Sequence, residues 1–550
     1  MRTKLFYTLM IMGLMLNITF LGLAIQQANA ESKGFSIVSF DPDTVAALKA
    51  QGKAINYPYP ESANKGKKFN PTGTLVGPLT TEEEQYIIVI FVEFATAPPG
   101  STDTRLDLGY FDDMLFGTFY DPPEYPDDDS HPTDRTLANY WTEVSYGQVT
   151  IGTHNLPSVQ GWIQLTNTYD YYCKADGVHD NGFGPYPNNV QGIVNDAVLA
   201  ADPYIDFSQY AVSGVVPNLF VVVAGTGAEW SGDPSIIWSH SWDVSEGSGL
   251  DMITVDGVKV NNYAMMPEVG GDLTGYANSG VPLGPYPPTC GVYAHEYGHV
   301  LGLPDEYDYG YESEGTGMYS LMSAGSWARY PYETLDQRRL YSGNSPTHID
   351  AWGKYRLGFL TPTLVTNTIA VSMENVEEHP VVYKMVVPNS DGKEYFLLEN
   401  RQNIGFDISL ARYGAPYGAH GLAVYHVDDN VLTRNYWRSS EAENWKEFRS
   451  EGWRKAWTGD RHYAISLIQA DDQWHLEHAA NVADSGDLYP GSSGVTSLTS
   501  FTKPNTSNYY FWAGSAPKFG YSGVTITNIA EAGGIISASL SFVPWVAPKK

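Results

Sequence analysis

The sequence predicts an α+β domain over residues 81–360 and an all-β, sandwich-like domain over residues 361–550. Three observations predict this fold class. Apolar β-branched runs alternate with helical patterns in the first part, as in a mixed sheet flanked by helices. A helix with two His residues and one Glu, typical of a metal site, follows them. After residue 360 the pattern changes to short alternating segments separated by Gly, Asn, Pro and Asp, which indicates antiparallel strands.

The first 30 residues have the pattern of a secretory signal peptide. A short basic start precedes an apolar run over residues 5–24, and the tripeptide Ala-Asn-Ala at residues 28–30 is a cleavage pattern. We therefore expect a secreted, extracellular protein without a membrane partner once residues 1–30 are removed. An uncleaved membrane anchor is the alternative.

Residues 31–80 are polar and rich in Pro, Gly and Lys. They predict a pro-segment or N-terminal extension with one short helix near Asp43–Gln51. Both removal and retention of this segment in the mature protein are compatible with the pattern.

The charge balance restricts the partners. The chain of 550 residues has 62 acidic and 32 basic residues, which gives a formal net charge of −30 at pH 7. This charge disfavours nucleic acids and anionic membranes as partners, and surplus carboxylates suit structural Ca²⁺. Aromatic residues make up 13% of the chain, as in ordered globular proteins. We expect a monomer.

Four elements are expected to build the sheet and its flanking helices. Gln85–Phe94 and Asn218–Ala224 are continuous apolar runs, which are typical of buried strands. Thr136–Val144 and Val190–Ala201 lie between them and have helical patterns. This alternation predicts a mixed sheet.

Two further strands are expected at Ile236–Trp242 and Asn261–Glu268. The second comes shortly before the metal-site helix, so we expect it at the edge of the sheet, beside a cleft. An edge strand there would hold an extended peptide by backbone pairing.

The metal-site helix contains His295, Glu296 and His299 in the order His-Glu-Tyr-Gly-His. Two His residues four positions apart lie on one face of a helix, so both imidazoles can bind one Zn²⁺ at roughly 2.0–2.1 Å. Glu296 follows about 100° further around the helix. A general base at that place can meet a metal-bound water without being a ligand itself. A surface helix with two solvated His residues is the alternative.

The rest of this helix fits a buried position. Thr289 is expected as its N-cap, and Gly302 as a left-handed stop before Pro304. The face opposite the His pair is apolar, so we expect it to be buried in the core. Its residues are Tyr293, Tyr297, Val300 and Leu301.

A third metal ligand is expected just after the helix. Asp305, Glu306 and Asp308 follow Gly302 closely, and carboxylate oxygen is an accepted zinc ligand. The residues alone leave the choice among the three open. Further on, Met322 lies in a tight Ser/Gly turn and could form a hydrophobic floor under the metal, although a Met is more often core filler.

Two features concern the closure of the first domain. Thr347–Leu360 predicts an amphipathic helix with His348 exposed at its start. Cys173 and Cys290 are the two cysteines of the chain. In an exported protein they can form one disulfide, which would tie the start of the metal-site helix to the preceding residues. Two buried free thiols are the alternative.

The all-β prediction rests on six alternating segments, interrupted by a charged, Trp-rich insertion at residues 433–460. The segments are Val381–Val387, Glu394–Glu399, Gly421–Val427, Tyr463–Ala470, Gly523–Ile529 and Ile535–Phe542. Several carboxylates are candidates for calcium sites or for solvated loops: Asp127–Asp129, Asp428, Asp429, Asp471, Asp472, Asp484 and Asp487.

Two stretches resemble the immune inhibitor A family of secreted bacterial metalloproteases, peptidase family M6, which is metzincin-like. They are HEYGHVLGLPDEYD at residues 295–308 and YSLMSAGSW at residues 319–327. Other stretches across residues 85–530 are similar as well, among them TLANYWTEVSYGQ at 136–148 and EYFLLENRQNIGFD at 394–407.

The resemblance implies a zincin-like catalytic domain, a zinc endopeptidase acting on extracellular protein or peptide substrates, and a β-sandwich after the catalytic domain. Export as a latent precursor and structural Ca²⁺ are implied too. Asp305 stands where metzincins have a third His, and this spacing favours it over Glu306 and Asp308. The residues that the resemblance assigns are the zinc ligands His295, His299 and Asp305, the general base Glu296 and the Met-turn residue Met322.

Two alternatives come from other function classes. One is an exported adhesin or binding protein with a vestigial metal site, and the other is a zinc hydrolase of non-peptide bonds. The intact Glu296 argues against the first, because a binding relic does not need a base. Digestion of casein separates the second from a peptidase.

Overall fold

The computed structural model describes residues 35–51, 83–98, 105–118, 134–271, 286–309, 313–331, 342–412, 418–434, 463–509 and 521–543. The predicted signal peptide, most of residues 31–80, the run Asp127–Asp129 and residues 435–460 of the predicted insertion lie outside this part of the chain.

A mixed six-stranded sheet forms the centre of the first part. The described residues of the first part form these strands: β1 (Ser36–Ile37), β2 (Glu83–Tyr86), β3 (Ile88–Glu93), β4 (Val149–Gly152), β5 (Trp162–Gln164), β6 (Val215–Val216), β7 (Leu219–Thr226), β8 (His240–Asp243), β9 (Ile253–Val255), β10 (Val258–Val260) and β11 (Asn262–Val269). The strand order in the six-stranded sheet is β1-β8-β11-β7-β3-β5. The strands β11, β7, β3 and β5 are parallel to one another, whereas β8 is antiparallel to both of its neighbours, β11 and β1. Strands β2-β4 and β6-β10-β9 form two small sheets.

Helices accompany these sheets, and the predicted α/β character of the first part is confirmed. They are α1 (Pro42–Ala50), α2 (Leu108–Phe116), α3 (Leu137–Val144), α4 (Pro157–Gln160), α5 (Tyr169–Tyr172), α6 (Val190–Ala201), α7 (Cys290–Leu301) and α8 (Ala351–Leu357). Helix α3 begins after Thr136, whose hydroxyl accepts from Asn139 N at 3.1 Å. Helix α8 is shorter than expected because Asp350 caps its start and Gly358 ends it with φ 79°.

The sheet differs from the prediction at its edge. The expected edge position of Asn261–Glu268 is wrong, because β11 lies between β8 and β7. The edge beside β8 is formed by β1, which belongs to the N-terminal segment. Strand β8 also begins at His240, later than expected, because the preceding residues close a loop in which Ala228 N donates to Ile237 O at 3.0 Å.

The second part has two sheets that share one apolar core. Its elements are β12 (Thr363–Leu364), β13 (Ile369–Met373), β14 (Val382–Val386), β15 (Glu394–Arg401), β16 (Gly421–Asp428), α9 (Asp429–Arg434), β17 (Ile465–Leu467), β18 (Ser497–Thr499), β19 (Val524–Ala532) and β20 (Ile535–Phe542). The sheet orders are β12-β14-β15-β16-β17 and β13-β20-β19-β18. Phe396 and Val424 of the first sheet share this core with Ile526 and Leu540 of the second.

Buried charges join the two parts. Arg401 of β15 is fully buried, binds Asp407 at 2.6 Å and donates to Tyr319 O at 2.9 Å. His348 is also buried, which makes its predicted exposure wrong. Its backbone N donates to Asp407 at 2.8 Å, and its ring contacts Glu143 at 2.8 Å.

No helix in the described ranges has the length and the apolar character needed to cross a bilayer.

Candidate metal centre and active site

Helix α7 is held by the packing of its back face. The hydroxyl of Tyr293 donates to Pro267 O of β11 at 2.9 Å. Tyr297 packs edge-on against Trp141 of α3, with ring centroids 5.4 Å apart. These contacts place the opposite face, which carries the two His residues, towards the loop that follows the helix.

The C-terminal end of α7 is as predicted, whereas its N-terminal end is not. The predicted left-handed stop at Gly302 is confirmed, with φ 102°. The predicted cap at Thr289 is wrong in its chemistry. Thr289 stands at the N-cap position, but its hydroxyl donates to Ser342 O at 2.6 Å and accepts nothing from the helix.

His295, His299 and Asp305 form a triangle of possible ligand atoms. Asp305 Oδ1 lies 3.2 Å from His295 Nε2 and 3.1 Å from His299 Nε2, and the two Nε2 atoms are 3.1 Å apart. Ligand atoms at about 2.0–2.1 Å from a tetrahedral zinc ion are roughly 3.3 Å from one another. The triangle therefore has the size that one Zn²⁺ requires.

Backbone carbonyls orient both imidazoles. His295 Nδ1 lies 2.9 Å from Leu321 O, and His299 Nδ1 lies 2.9 Å from Leu303 O. A carbonyl oxygen can only accept, so each Nδ1 donates and each neutral ring keeps Nε2 as the ligand atom. Sequence patterns do not show such partners, because each carbonyl reaches its ring only through the fold of the loop.

Asp305 is oriented by Tyr309, whose hydroxyl donates to Asp305 Oδ2. This leaves Oδ1 towards the imidazoles. Burial opposes the charge of Asp305, but His299 and His295 outweigh burial and hold the pKa of Asp305 below its usual range. Tyr309 belongs to the Tyr-rich loop after the motif, and the sequence alone gave no reason to select it.

Glu306 and Asp308 lie outside the triangle. Glu306 accepts from Thr316 Oγ1 at 3.1 Å and faces Asp350. Burial raises the pKa of Asp350 to about 6, and burial with the charge of Asp350 raises the pKa of Glu306 well above its usual range. Glu306 therefore belongs to a buried carboxyl pair behind the loop. Of the three carboxylates proposed after α7, Asp305 alone meets both His residues.

Glu296 lies beside the triangle and is fully buried. Neither of its carboxylate oxygens has a hydrogen-bond partner among the described residues, and Asp305 Oδ1 is in the same condition. Burial, with the charges of Asp305 and Glu229, raises the pKa of Glu296 well above its usual range. Buried polar atoms without partners are costly, so this site is built for groups that would complete it.

Met322 is fully buried and contacts α7 at Gly298. Its backbone carbonyl accepts from Glu306 N at 2.8 Å. The neighbouring Leu321 supplies the carbonyl for His295. The turn that contains Met322 thus supports both the helix and the loop that carries Asp305.

The disulfide predicted between Cys173 and Cys290 is wrong. Both residues are buried free thiols. The sulfur of Cys173 lies 4.0 Å from Pro234 O, and that of Cys290 lies 3.9 Å from Gly343 O. Burial raises the pKa of both thiols to about 12, which makes them unreactive.

The N-terminal segment at residues 35–41 covers the site from one side. Ile37 pairs with His240 of β8, and its carbonyl accepts from the hydroxyl of Tyr307. The backbone of Val38 lies near enough to the Glu296 carboxylate to favour its charged form. This segment falls inside the predicted pro-segment.

Asp41 anchors the end of the same segment. Its carboxylate accepts from Ser342 Oγ at 3.0 Å and lies 3.5 Å from the guanidinium of Arg329. Asp41 Oδ2 also accepts from Thr44 N at the start of α1. The segment is therefore bound to the rest of the first part at both of its ends.

Comparisons with known proteins agree with this geometry. Residues 81–342 match the catalytic domain of the immune inhibitor A peptidases, M6. The chain is 30% identical over 316 residues to immune inhibitor A of Bacillus thuringiensis subsp. alesti, which covers 52% of this chain and 41% of that protein. It is 28% identical over 299 residues to the pre-pro-metalloprotease PrtV of Vibrio cholerae serotype O1 (strain M66-2), and this match covers 49% of this chain and 29% of that protein.

The chain thus spans less than half the length of these curated relatives. The matched range includes His295, Glu296, His299, Asp305 and Met322. Metalloprotease relatives and a triangle of metal-type ligands thus coincide in one place, within residues 81–342, which match the catalytic domain of the immune inhibitor A family of M6 peptidases.

Proposed function

We propose that the chain is a secreted, zinc-dependent endopeptidase that hydrolyses peptide bonds of extracellular proteins. The observation that carries this proposal is the triangle of His295 Nε2, His299 Nε2 and Asp305 Oδ1, with the buried carboxylate of Glu296 beside it. Imidazole nitrogen and carboxylate oxygen are usual zinc ligands. The predicted signal peptide supports export.

The chain's own residues divide the chemistry among them. When bound, zinc acidifies a water molecule and polarises the scissile carbonyl. Glu296 accepts the proton of the attacking water at a carboxylate oxygen and later donates it to the leaving amine. Tyr309 and the carbonyls of Leu303 and Leu321 keep the ligands in place. Met322 supports the helix beneath them.

The position of β8 suggests how a peptide is held. Ser36 and Ile37 add to β8 as an antiparallel strand, beside Glu296. An extended substrate that pairs with β8 in the same way would occupy the same place. We therefore assign residues 35–41 as the part of a pro-segment that keeps the peptidase latent until it is displaced.

Metal analysis combined with digestion of casein tests the proposed function. The chain is cleaved within residues 52–82 and freed of its N-terminal piece before the assay. We expect one zinc ion per catalytic domain, and hydrolysis that a chelator stops and zinc restores. Zinc binding without cleavage of any peptide would favour a hydrolase of other bonds. Absence of both zinc binding and hydrolysis would favour a binding protein.

A further inference from the structure

A second set of metal-type side chains lies in the segment between β17 and β18. Asp471, His475 and Asp484 each bring one possible ligand atom to within 4.8 Å of the others. His475 Nδ1 is 2.9 Å from Asp484 Oδ2. None of the three takes part in the chemistry proposed for the active site.

The two carboxylates converge above Gly486. A Cβ atom on Gly486 would lie 2.6 Å from Asp471 Oδ2 and 3.0 Å from Asp484 Oδ1. Two carboxylates that point to one place repel each other unless a cation compensates them. Among the described residues, His475 is the one basic side chain that forms an ion pair with either carboxylate. The other donors are uncharged: Gln473 donates to Asp471 from its backbone N and its Nε2, and Gly486 N donates to Asp484 Oδ1.

Unpartnered oxygens adjoin the same cluster. Asn481 Nδ2 lies 3.1 Å from His475 Nδ1 and 2.9 Å from Asp484 Oδ2, while its own Oδ1 has no donor in the described part of the chain. Asp487 is fully buried, and its Oδ1 also lacks a donor there. The cluster thus combines two converging carboxylates with two adjoining oxygen atoms, Asn481 Oδ1 and Asp487 Oδ1, that have no hydrogen-bond donor in the described part of the chain.

We propose that Asp471, His475 and Asp484 bind a second divalent cation, with Asn481 Oδ1 as a further donor. Carboxylate, amide and imidazole donors together favour Zn²⁺ or a neighbouring transition-metal ion over Ca²⁺, because Ca²⁺ takes oxygen ligands. Gly486 is required because a side chain would enter the space where the carboxylates meet.

The cation site stabilises a loop that supports the active site. Leu476 O accepts from Glu314 N at 2.8 Å, and Val482 O accepts from Met318 N at 2.9 Å. Tyr319 OH donates to Asp487 Oδ2 at 2.9 Å. Glu314, Met318 and Tyr319 precede the turn that contains Met322. The second cation therefore has a structural role, because its loop in the second part of the chain holds these residues of the first part. Its binding does not depend on the proposed peptidase activity.

Zinc content and thermal unfolding of the full chain test this proposal. The test is made in the Asp305→Asn background, so that the active-site triangle does not contribute. The variant Asp471→Asn/Asp484→Asn removes the charge of the second cluster at nearly constant volume. Asp472→Asn is the matched control, because Asp472 is the sequence neighbour and contacts Trp474 instead.

We expect the background chain to bind one zinc ion and its Tm to rise with the logarithm of free zinc. The double variant should lose both effects, and the Asp472→Asn control should keep both. Equal zinc content in the double variant and the background would overturn the proposal. If the double variant does not fold, His475→Gln alone decides: an unchanged zinc response, or a response to Ca²⁺ alone, would contradict the proposed ligands.

Discussion

The sulfur of Met322 lies where a side chain on Gly298 would have to be. A Cβ atom on Gly298 would come within 2.5 Å of Met322 Sδ. Gly298 directly precedes His299 on α7, so the close contact sets the distance between the helix and the turn that orients His295. The absence of a side chain at Gly298 is therefore part of the site.

Substitution Gly298→Ala should destabilise the protein and lower its activity. Overpacking of a filled core costs typically about 1–3 kcal/mol, and the displaced turn would move Leu321 O away from His295. Chemical unfolding and casein hydrolysis measure the two effects. In the double variant Gly298→Ala/Met322→Ala, the smaller side chain should remove the clash. If the two substitutions simply add, the contact does not set the spacing.

The choice of Asp305 as third ligand predicts a selective loss of metal. Asp305→Asn should bind zinc at the active site much more weakly than the parent chain and so hold one zinc ion fewer, because the amide oxygen carries no charge and the imidazole pair is left without its carboxylate. Asp308→Asn and Glu306→Gln should keep the catalytic zinc. Zinc content after dialysis checks this. Retention of full zinc by Asp305→Asn together with its loss in Asp308→Asn would assign the ligand to Asp308.

Release of the N-terminal segment should activate the uncleaved chain. Asp41→Ala removes the contacts with Arg329 and Ser342 and the cap at Thr44. The loss of a cap alone costs about 1 kcal/mol, and one or two kcal/mol changes an equilibrium about 5–30-fold. We expect a rise of this order in the initial rate of peptide hydrolysis. Ala50→Ser, at an exposed position of helix α1, whose start Asp41 caps, is the control.

Unchanged or lower activity of correctly folded Asp41→Ala would argue against latency through residues 35–41. Cleavage within residues 52–82 followed by removal of the N-terminal piece should then also leave the rate unchanged. Both results together would mean that a substrate is held elsewhere than on β8.

Glu229 should make stability depend on pH. Burial raises the pKa of Glu229 to about 7, while an unfolded chain has the usual value near 4.3. As pH rises through this window, the unfolded state releases the proton first, so the free energy of unfolding falls, by at most about 1.4 kcal/mol per pH unit. Glu229→Gln should remove this part of the slope between about pH 4.5 and 7. Chemical unfolding at several pH values measures it.

The exposed Glu374→Gln variant should keep the slope of the parent chain. Identical slopes for Glu229→Gln and the parent would show that Glu229 ionises in the folded state at the same pH as in the unfolded chain.

Local features of the site follow from the sequence, whereas features that depend on distant segments do not. The spacing of His295 and His299 follows from helical geometry, so the sequence was sufficient to bring them together, and the stop at Gly302 is equally local. Whether Asp305, Glu306 or Asp308 meets them depends on the loop, because Asp350 and Thr316 hold Glu306 on the other side. Residues 305–308 by themselves do not contain that information, and only the spacing of the resembling family favoured Asp305.

The wrong predictions share one cause. The exposure of His348, the disulfide of Cys173 and Cys290 and the edge position of Asn261–Glu268 all depend on segments that are distant in sequence. His348 is buried by Asp407 from the second part of the chain. The edge strand is supplied by Ser36–Ile37, whose two residues are too few to be recognised from periodicity.

Hydrolysis of casein by the Glu296→Gln variant tests the central claim most directly. The parent and the variant are both freed of the N-terminal piece, and zinc content is measured on the same samples. A proton-transfer group contributes typically about 10²–10⁴-fold to the rate. We predict zinc content equal to that of the parent and a loss of activity of at least this order. A zinc-loaded variant that digests casein at the parent rate would contradict the assignment of Glu296 as the general base and the active site built around it.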